Sequence, residues 1–223
     1  MFKFKASDLP EILTRWSARY TVFVPSGSPD NVQMRIWSRR TRKEARFMEP
    51  DEYTNLSVAP KGFVFGEREE LFRWEGSEKT CTAVSAPSSS SLQEEDKILF
   101  GLRPCDTYGL AYMDRFFLGE HHDINYHLRR QHVFIVAVNC LNAGPECYCA
   151  SMGTGPFAEI IAHTEYGMQA GKGYDLLLTP DYGPGHKKGE KGENDWYWVE
   201  AGSDTIFSRS PSLGAVKGWW QAT

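Results

Sequence analysis

The chain has 223 residues, 41% of them apolar, and carries a formal net charge of −4. That length suits one large domain or a domain with an appended subdomain, and the apolar share supports a full core rather than disorder throughout. The acidic balance argues against nucleic acid as a main partner, which would need a concentrated basic surface, and no run reaches the ~18 consecutive apolar residues of a membrane span.

Leu9, Ile12, Leu13, Trp16 and Tyr20 recur at helical spacing behind Ser7 and Asp8, either of which can cap, with Pro10 in the first turn. The opening Met1-Phe2-Lys3-Phe4-Lys5 has no apolar core behind it and so does not read as a secretory leader. Tyr20 to Val24 reads as a strand, Ser26 to Asp30 as a turn, and Val32, Met34 and Ile36, alternating with Gln33 and Arg35, as a strand returning along the first. The basic run Arg39 to Lys43 reads as a solvated turn, and Ser85 to Ser91 as a Ser/Pro loop.

Lys97 to Leu102 is a short apolar run consistent with a buried strand. Arg103-Pro104-Cys105 ends it, and Asp106 can cap a helix that carries Leu110, Met113 and Phe117 on one face. Val133 to Val138 is a second buried strand, so strand, helix and strand make a βαβ unit with parallel strands. Leu176 to Leu178 adds a third strand, and Trp196 to Val199 a further one with an edge position open to it. Gly183 to Asn194, rich in Gly, Lys and Glu, reads as an exposed excursion. The expected fold class is α/β: a mixed or mostly parallel sheet with βαβ units. Residues 1–94 form an N-terminal α/β subdomain with a hairpin, and 95–223 the ligand-bearing α/β subdomain.

The chain is expected to stay in the cytoplasm, where thiols remain reduced. Its five cysteines, an odd number, therefore read as metal ligands or redox groups rather than disulfides. Cys105 follows the first buried strand and Cys140 the second. Parallel strands end on the same side, where open α/β sheets place ligands. Cys147 and Cys149 come in the loop after Cys140, giving C-x34-C-x6-C-x-C. Four thiolates suit a [4Fe–4S] cluster, a [2Fe–2S] cluster or a tetrahedral zinc ion; unrelated buried or reactive thiols are the plain alternative. Gly144-Pro145 and Gly153 to Pro156 bracket the paired cysteines, and glycines let backbone approach a bulky anionic group.

Asp106 beside Cys105 is either a rare ligand or a helix cap, and Arg103 either tunes the site's charge or makes a structural ion pair. Cys81 reads as an ordinary thiol. His121, His122, Asp123 and His127 are a second metal site or a solvated loop, and Trp219-Trp220 a partner contact or a core anchor. No G-x-S-x-G, dinucleotide-type G-x-G-x-x-G or Walker loop occurs, so no catalytic residue is nominated and no NAD(P)H or ATP site is expected on this chain.

The segments ILFGLRPCDTYGL, LRRQHVFIVAVNCLNAGPECYCASMGTGP and GYDLLLTPDYG, with APKGFVFGEREELFRWE from Ala59 to Glu75, resemble the beta, electron-transfer subunits of cytoplasmic sulfhydrogenases and the A subunit of anaerobic sulfite reductases. The likeness runs from about Tyr20 to Ala201. It implies a non-catalytic iron–sulfur subunit in a hetero-oligomeric redox complex. Such a subunit links a flavoprotein that handles NAD(P)H, or a ferredoxin-type partner, to a catalytic hydrogenase or sulfite reductase subunit. Cys105, Cys140, Cys147 and Cys149 match the family's cysteine motifs, which implies cluster binding there; a zinc-stabilised assembly subunit is the alternative. Members of that family usually continue into C-x2-C-x2-C-x3-C ferredoxin-type repeats. None occurs in these 223 residues, so the expectation is either that a partner supplies those clusters or that the chain is a stand-alone or truncated version.

Overall fold

Strand β1 is Phe2–Lys5, followed by helix α1 (Leu9–Trp16) and strands β2 (Thr21–Ser28), β3 (Asn31–Ile36), β4 (Arg73–Ser77), β5 (Thr80–Ser85) and β6 (Lys97–Leu102). Helices α2 (Pro104–Phe117) and α3 (Ile124–Arg130), strand β7 (Val133–Val138), the short helix α4 (Cys149–Met152) and strands β8 (Leu176–Asp181), β9 (Trp196–Ala201) and β10 (Gln221–Ala222) complete the order. This computed structural model describes residues 2–38, 46–66, 73–77, 80–85, 95–120, 122–158, 173–190, 192–202 and 221–222. The expectations for Arg39 to Lys43, for the Ser/Pro loop beyond Ser85 and for Trp219-Trp220 fall outside those residues.

Eight strands form one sheet in the order β10-β1-β9-β8-β7-β6-β2-β3, and β4 and β5 pair separately as a hairpin. The centre is parallel: β2 with β6, β6 with β7 and β7 with β8. Antiparallel pairs flank it on both sides, so the sheet is mixed and the fold is α/β, as the sequence predicts. Strands from 1–94 and from 95–223 hydrogen-bond in this one sheet, with Val22 opposite Ile98.

β7, at the centre of the sheet, is apolar throughout because both its faces are covered. On β7, Phe134, Val136 and Val138 pack into the core beneath α1, with Leu9, Ile12, Leu13 and Trp16. Val133, Ile135 and Ala137 face the other way, into the core that holds Leu110 of α2 and Tyr126 of α3. The period of two along the strand thus serves two cores at once. Asp114 fastens α3 to α2: it accepts from the Tyr126 hydroxyl at 2.6 Å and pairs with Arg130 at 3.0 Å.

Several elements differ from expectation. β9 is internal, because Phe2–Lys5 pairs along its far side, Phe2 opposite Val199 and Lys5 opposite Trp196. The Phe-Lys alternation allows this: Phe4 is buried, while Lys3 lies over the Trp196 ring at 4.7 Å. β2 runs on to Ser28, through residues expected to turn. Neither Ser7 nor Asp8 caps α1 through its side chain; Asp8 is the N-cap residue, and its side chain accepts from the Ser7 hydroxyl. The expected helix after Cys105 begins earlier, at Pro104, with Arg103 as N-cap and Asp106 three residues on.

The 183–194 segment is largely exposed where it is described, as expected, but it is anchored from within. His186 bridges two buried carboxylates, Asp195 through Nδ1 at 2.7 Å and Asp51 through Nε2 at 3.1 Å, while Tyr182 stacks on its ring at 3.9 Å. Asp195 also accepts the N–H groups of Gly183 and Gly192, and Asp51 that of Gly189. Burial works against the charged imidazole, but the two carboxylates outweigh it and raise the His186 pKa above its ordinary value. Burial likewise works against the Asp195 carboxylate, and the Gly192 N–H, the His186 ring and the Gly183 N–H outweigh it and lower the pKa. The histidine's contribution to stability is therefore complete below about pH 6.5 and lost as pH rises through its raised folded-state value. The aspartate's is present above the ordinary carboxylate range and lost as pH falls through its lowered value. Amide exchange at Gly189 and Gly192, corrected for its intrinsic pH dependence, should accelerate as His186 deprotonates, because the ring's charge-assisted bonds to Asp51 and Asp195, which hold those two N–H groups, weaken. His186→Gln should remove the step; an unchanged step in that variant would reassign it to another group.

Candidate metal centre

β6 and β7 run parallel, with Ile98 opposite Phe134 and Phe100 opposite Val136, so their carboxyl ends lie together. Cys105 follows β6 at the start of α2, and Cys140 follows β7. The β6 end is irregular, with a register shift between Phe100 and Leu102. Gly101 there takes φ +84°, and a Cβ at that position would lie 2.7 Å from the Tyr53 hydroxyl and 2.8 Å from the Pro25 ring. Only glycine fits both the left-handed backbone and the space.

Asn139 closes the cysteine loop at its neck. Its side chain accepts the Ala158 N–H at 2.9 Å and donates to Thr179 Oγ1 at 2.8 Å, and the Cys140 N–H donates to the Pro156 carbonyl at 3.1 Å. Within the loop, the Gly144 N–H donates to Cys147 Sγ at 3.3 Å, and the Cys140 thiol donates to the Asn142 carbonyl at 3.4 Å. Cys149 opens α4, which Gly153 ends at φ +66°. A Cβ on Gly155 would lie 3.1 Å from Cys149 Sγ and 3.6 Å from Pro104 Cβ, so this glycine sits against the sulfur and beside the start of α2.

Cys105 and Cys149 lie near enough for charge on one to act on the other. Partial removal from water raises the Cys105 pKa to about 11, with the Asp106 carboxylate and Cys149 adding to the effect. Asp106 is raised too, first by burial; the Arg103 N–H, which donates to it at 3.2 Å, and the Arg103 charge oppose this. Asp106 thus acts as the reciprocal half of a capping box.

Cys105, Cys140, Cys147 and Cys149 are free, Cys105 exposed and the other three partly buried. Among the described residues, no three His, Cys, Asp or Glu side chains converge as a formed metal cage. Cys140 and Cys147 are instead engaged with their own loop. The donor chemistry fits an iron–sulfur cluster: four unpaired sulfurs follow two adjacent strand ends, with glycines against two of them and a backbone N–H already directed at one. Cys81 lies on β5, in the separate hairpin, opposite Gly76. Asp123 serves as the N-cap of α3, accepting the Tyr126 N–H at 2.8 Å, while the His122 and His127 rings pack 4.9 Å apart. His121 lies outside the described residues.

Arg103 forms no carboxylate ion pair among the described contacts, and its role is the one that the sequence least reveals. It is 2% exposed. Its Nε donates to the Thr54 carbonyl at 3.1 Å, one terminal nitrogen donates to the Tyr53 and Pro50 carbonyls, and the other reaches the Asn139 carbonyl at 3.5 Å. The guanidinium lies 4.1 Å from the centre of the Tyr53 ring. Burial pushes the Tyr53 phenol up to about 12 against the opposing Arg103 charge, and the neutral hydroxyl donates to the Gly101 carbonyl at 2.5 Å. Nothing in the irregular 50–54 stretch signals this. The one legible hint was Asn139, a polar residue closing an apolar run directly before a cysteine.

These features define the chain as an α/β protein with a thiol-bearing loop and a thiol-bearing helix start at the carboxyl ends of adjacent parallel strands. Sulfhydrogenase 2 subunit beta of Pyrococcus furiosus is 30% identical to it over 103 residues. That stretch is 46% of this chain and 28% of the relative, so the chain matches little more than a quarter of the relative's length. The likeness relates the chain to sulfhydrogenase beta subunits over that stretch. No protein-family model and no solved structure matches. No helix among the described residues is long and apolar enough to cross a membrane.

Proposed function

We propose that this chain is an electron-transfer subunit of a cytoplasmic oxidoreductase complex. It holds an iron–sulfur cluster, [4Fe–4S] in preference to [2Fe–2S], on Cys105, Cys140, Cys147 and Cys149. The observation that carries the reading is the placement of Cys105 and the Cys140–Cys149 loop after the paired carboxyl ends of β6 and β7. The sulfhydrogenase likeness supports an electron-transfer role of this kind. The partners we propose are a hydrogenase or sulfite reductase type of catalytic subunit and a flavoprotein or ferredoxin-type donor.

When bound, such a cluster accepts and gives up single electrons at a potential set by its surroundings. The chain's own groups supply the levers. The Gly144 N–H bonds to the Cys147 sulfur, and hydrogen bonds of that kind to cluster sulfur raise the potential. Cys105 is exposed and Tyr148, between two of the cysteines, is 72% exposed, which keeps this end of the sheet within a partner's reach.

Protein purified without oxygen should be brown, contain iron and acid-labile sulfide, and give an electron paramagnetic resonance signal on reduction by dithionite. Colourless protein holding stoichiometric zinc would replace the proposal with a zinc-stabilised assembly subunit.

A further inference from the structure

Arg103 stands where three stretches around the candidate centre meet. Its backbone opens the helix that carries Cys105 two residues later, and its N–H is held by Asp106. Its side chain reaches the Asn139 carbonyl, the residue before Cys140. Its other bonds go to three carbonyls of residues 50–54. That stretch in turn supports the cysteine loop, since a Cβ on Gly144 would lie 3.2 Å from Thr54 Cγ2 and 3.7 Å from Cys147 Sγ. Tyr53 supports the guanidinium with its ring and bonds to the β6 end through Gly101.

A buried guanidinium is costly to desolvate, and here it is met by neutral carbonyls arranged about a planar fork rather than by a carboxylate. A fixed set of donors directed at backbone oxygens holds main chain in place.

We infer that Arg103, seated on Tyr53, is the positioning residue that fixes the Cys105 and Cys140 backbones and the 50–54 support of Cys147 relative to one another for metal binding. The inference rests on the four-thiol reading of the site. Lysine in its place keeps the charge but not the fork: an ammonium's three donors radiate from one nitrogen and cannot reach carbonyls spread around the edge of a planar guanidinium. Its loss therefore acts on ligand spacing, in the way that supporting groups around a metal site commonly set affinity.

The test is titration of the full-length, reduced, metal-free chain with cobalt(II), well below its melting temperature. The thiolate-to-cobalt charge-transfer bands are read for both affinity and intensity per ion. Wild type should bind one cobalt with the intensity of a thiolate-rich site. Arg103→Lys should bind at least about tenfold more weakly, with fewer thiolates per ion. A purely structural role would lower the melting temperature and leave both readings unchanged, and that result would overturn the inference. Tyr53→Phe keeps the ring under the guanidinium and removes only the bond to Gly101. It should fold and bind cobalt with an affinity between the other two, and it decides the question should Arg103→Lys fail to fold. Wild-type affinity and intensity in Tyr53→Phe would then overturn the inference. Absence of charge-transfer bands in wild type would instead overturn the four-thiol reading itself.

Discussion

Cys147→Ser and Cys140→Ser, expressed and purified without oxygen, should each retain less than about a tenth of the wild-type iron and sulfide and lose the reduced-state resonance signal. A serine hydroxyl is a hard, weakly acidic donor, and iron–sulfur clusters are held by thiolate. The two sites are chosen for what surrounds them. Cys147 is partly buried and its sulfur accepts the Gly144 N–H, so a neighbouring group cannot easily take its place. Cys140 directly follows the neck residue Asn139, and its own N–H is committed to the Pro156 carbonyl. Neither side chain belongs to the two large cores, so the melting curves of the metal-free variants should follow that of the metal-free wild type. Cys81→Ser is the control, because β5 belongs to a hairpin outside the main sheet. Full iron and sulfide content in both ligand variants would remove these residues from the assignment.

The centre of the fold was legible because its burial is extreme. A strand covered on both faces is apolar along its covered length, so the runs Ile98 to Leu102 and Val133 to Val138 could be read directly as β6 and β7. Their parallel pairing, expected of a βαβ unit, places Cys105 and Cys140 after strand ends on one side of the sheet. The flanks were less legible. β1 has only four residues, and its pairing with β9 depends on a partner almost two hundred residues away, which no local pattern records. The 183–194 segment has the composition of a solvated loop. Its order comes from two carboxylates and a histidine whose pairing depends on the tertiary fold. The site shows the same division. The cysteines announced themselves by spacing, whereas Tyr53 and Thr54 act through a ring face, a backbone carbonyl and a methyl contact, none of which has a sequence signature.

Arg103 and Asn139 lie between those extremes. Both are polar residues that close apolar strands, but only packing assigns their partners. Each uses its side chain to hold backbone next to a cysteine, which is the support that a metal site requires beyond its ligands. The two are also linked, since the Asn139 carbonyl is one of the acceptors of the Arg103 guanidinium.

Asn139→Leu should lower the stability of the metal-free chain by about 2–3 kcal/mol and weaken metal binding by about tenfold. Leucine reproduces the shape of asparagine in a site that is 6% exposed, so little volume is lost. What is lost is two hydrogen bonds, leaving the Ala158 N–H and the Thr179 hydroxyl facing an apolar group. An unpaired buried donor costs about 1–3 kcal/mol; the range expected here is narrowed because Ala158 and Thr179 are only partly buried. Among the described contacts across the neck, the Cys140 N–H to the Pro156 carbonyl would then remain to close the loop from Cys140 to Pro156. Denaturant unfolding should show a lower midpoint with an unchanged slope, because the unfolded surface is the same. Adding Thr179→Val removes the stranded hydroxyl, so the double variant should be more stable than the sum of the single losses implies. The metal affinity should not recover with it, because the Ala158 end of the neck stays open. Wild-type stability in Asn139→Leu, or strict additivity in the double variant, would mean that the loop is held closed by something other than this side chain.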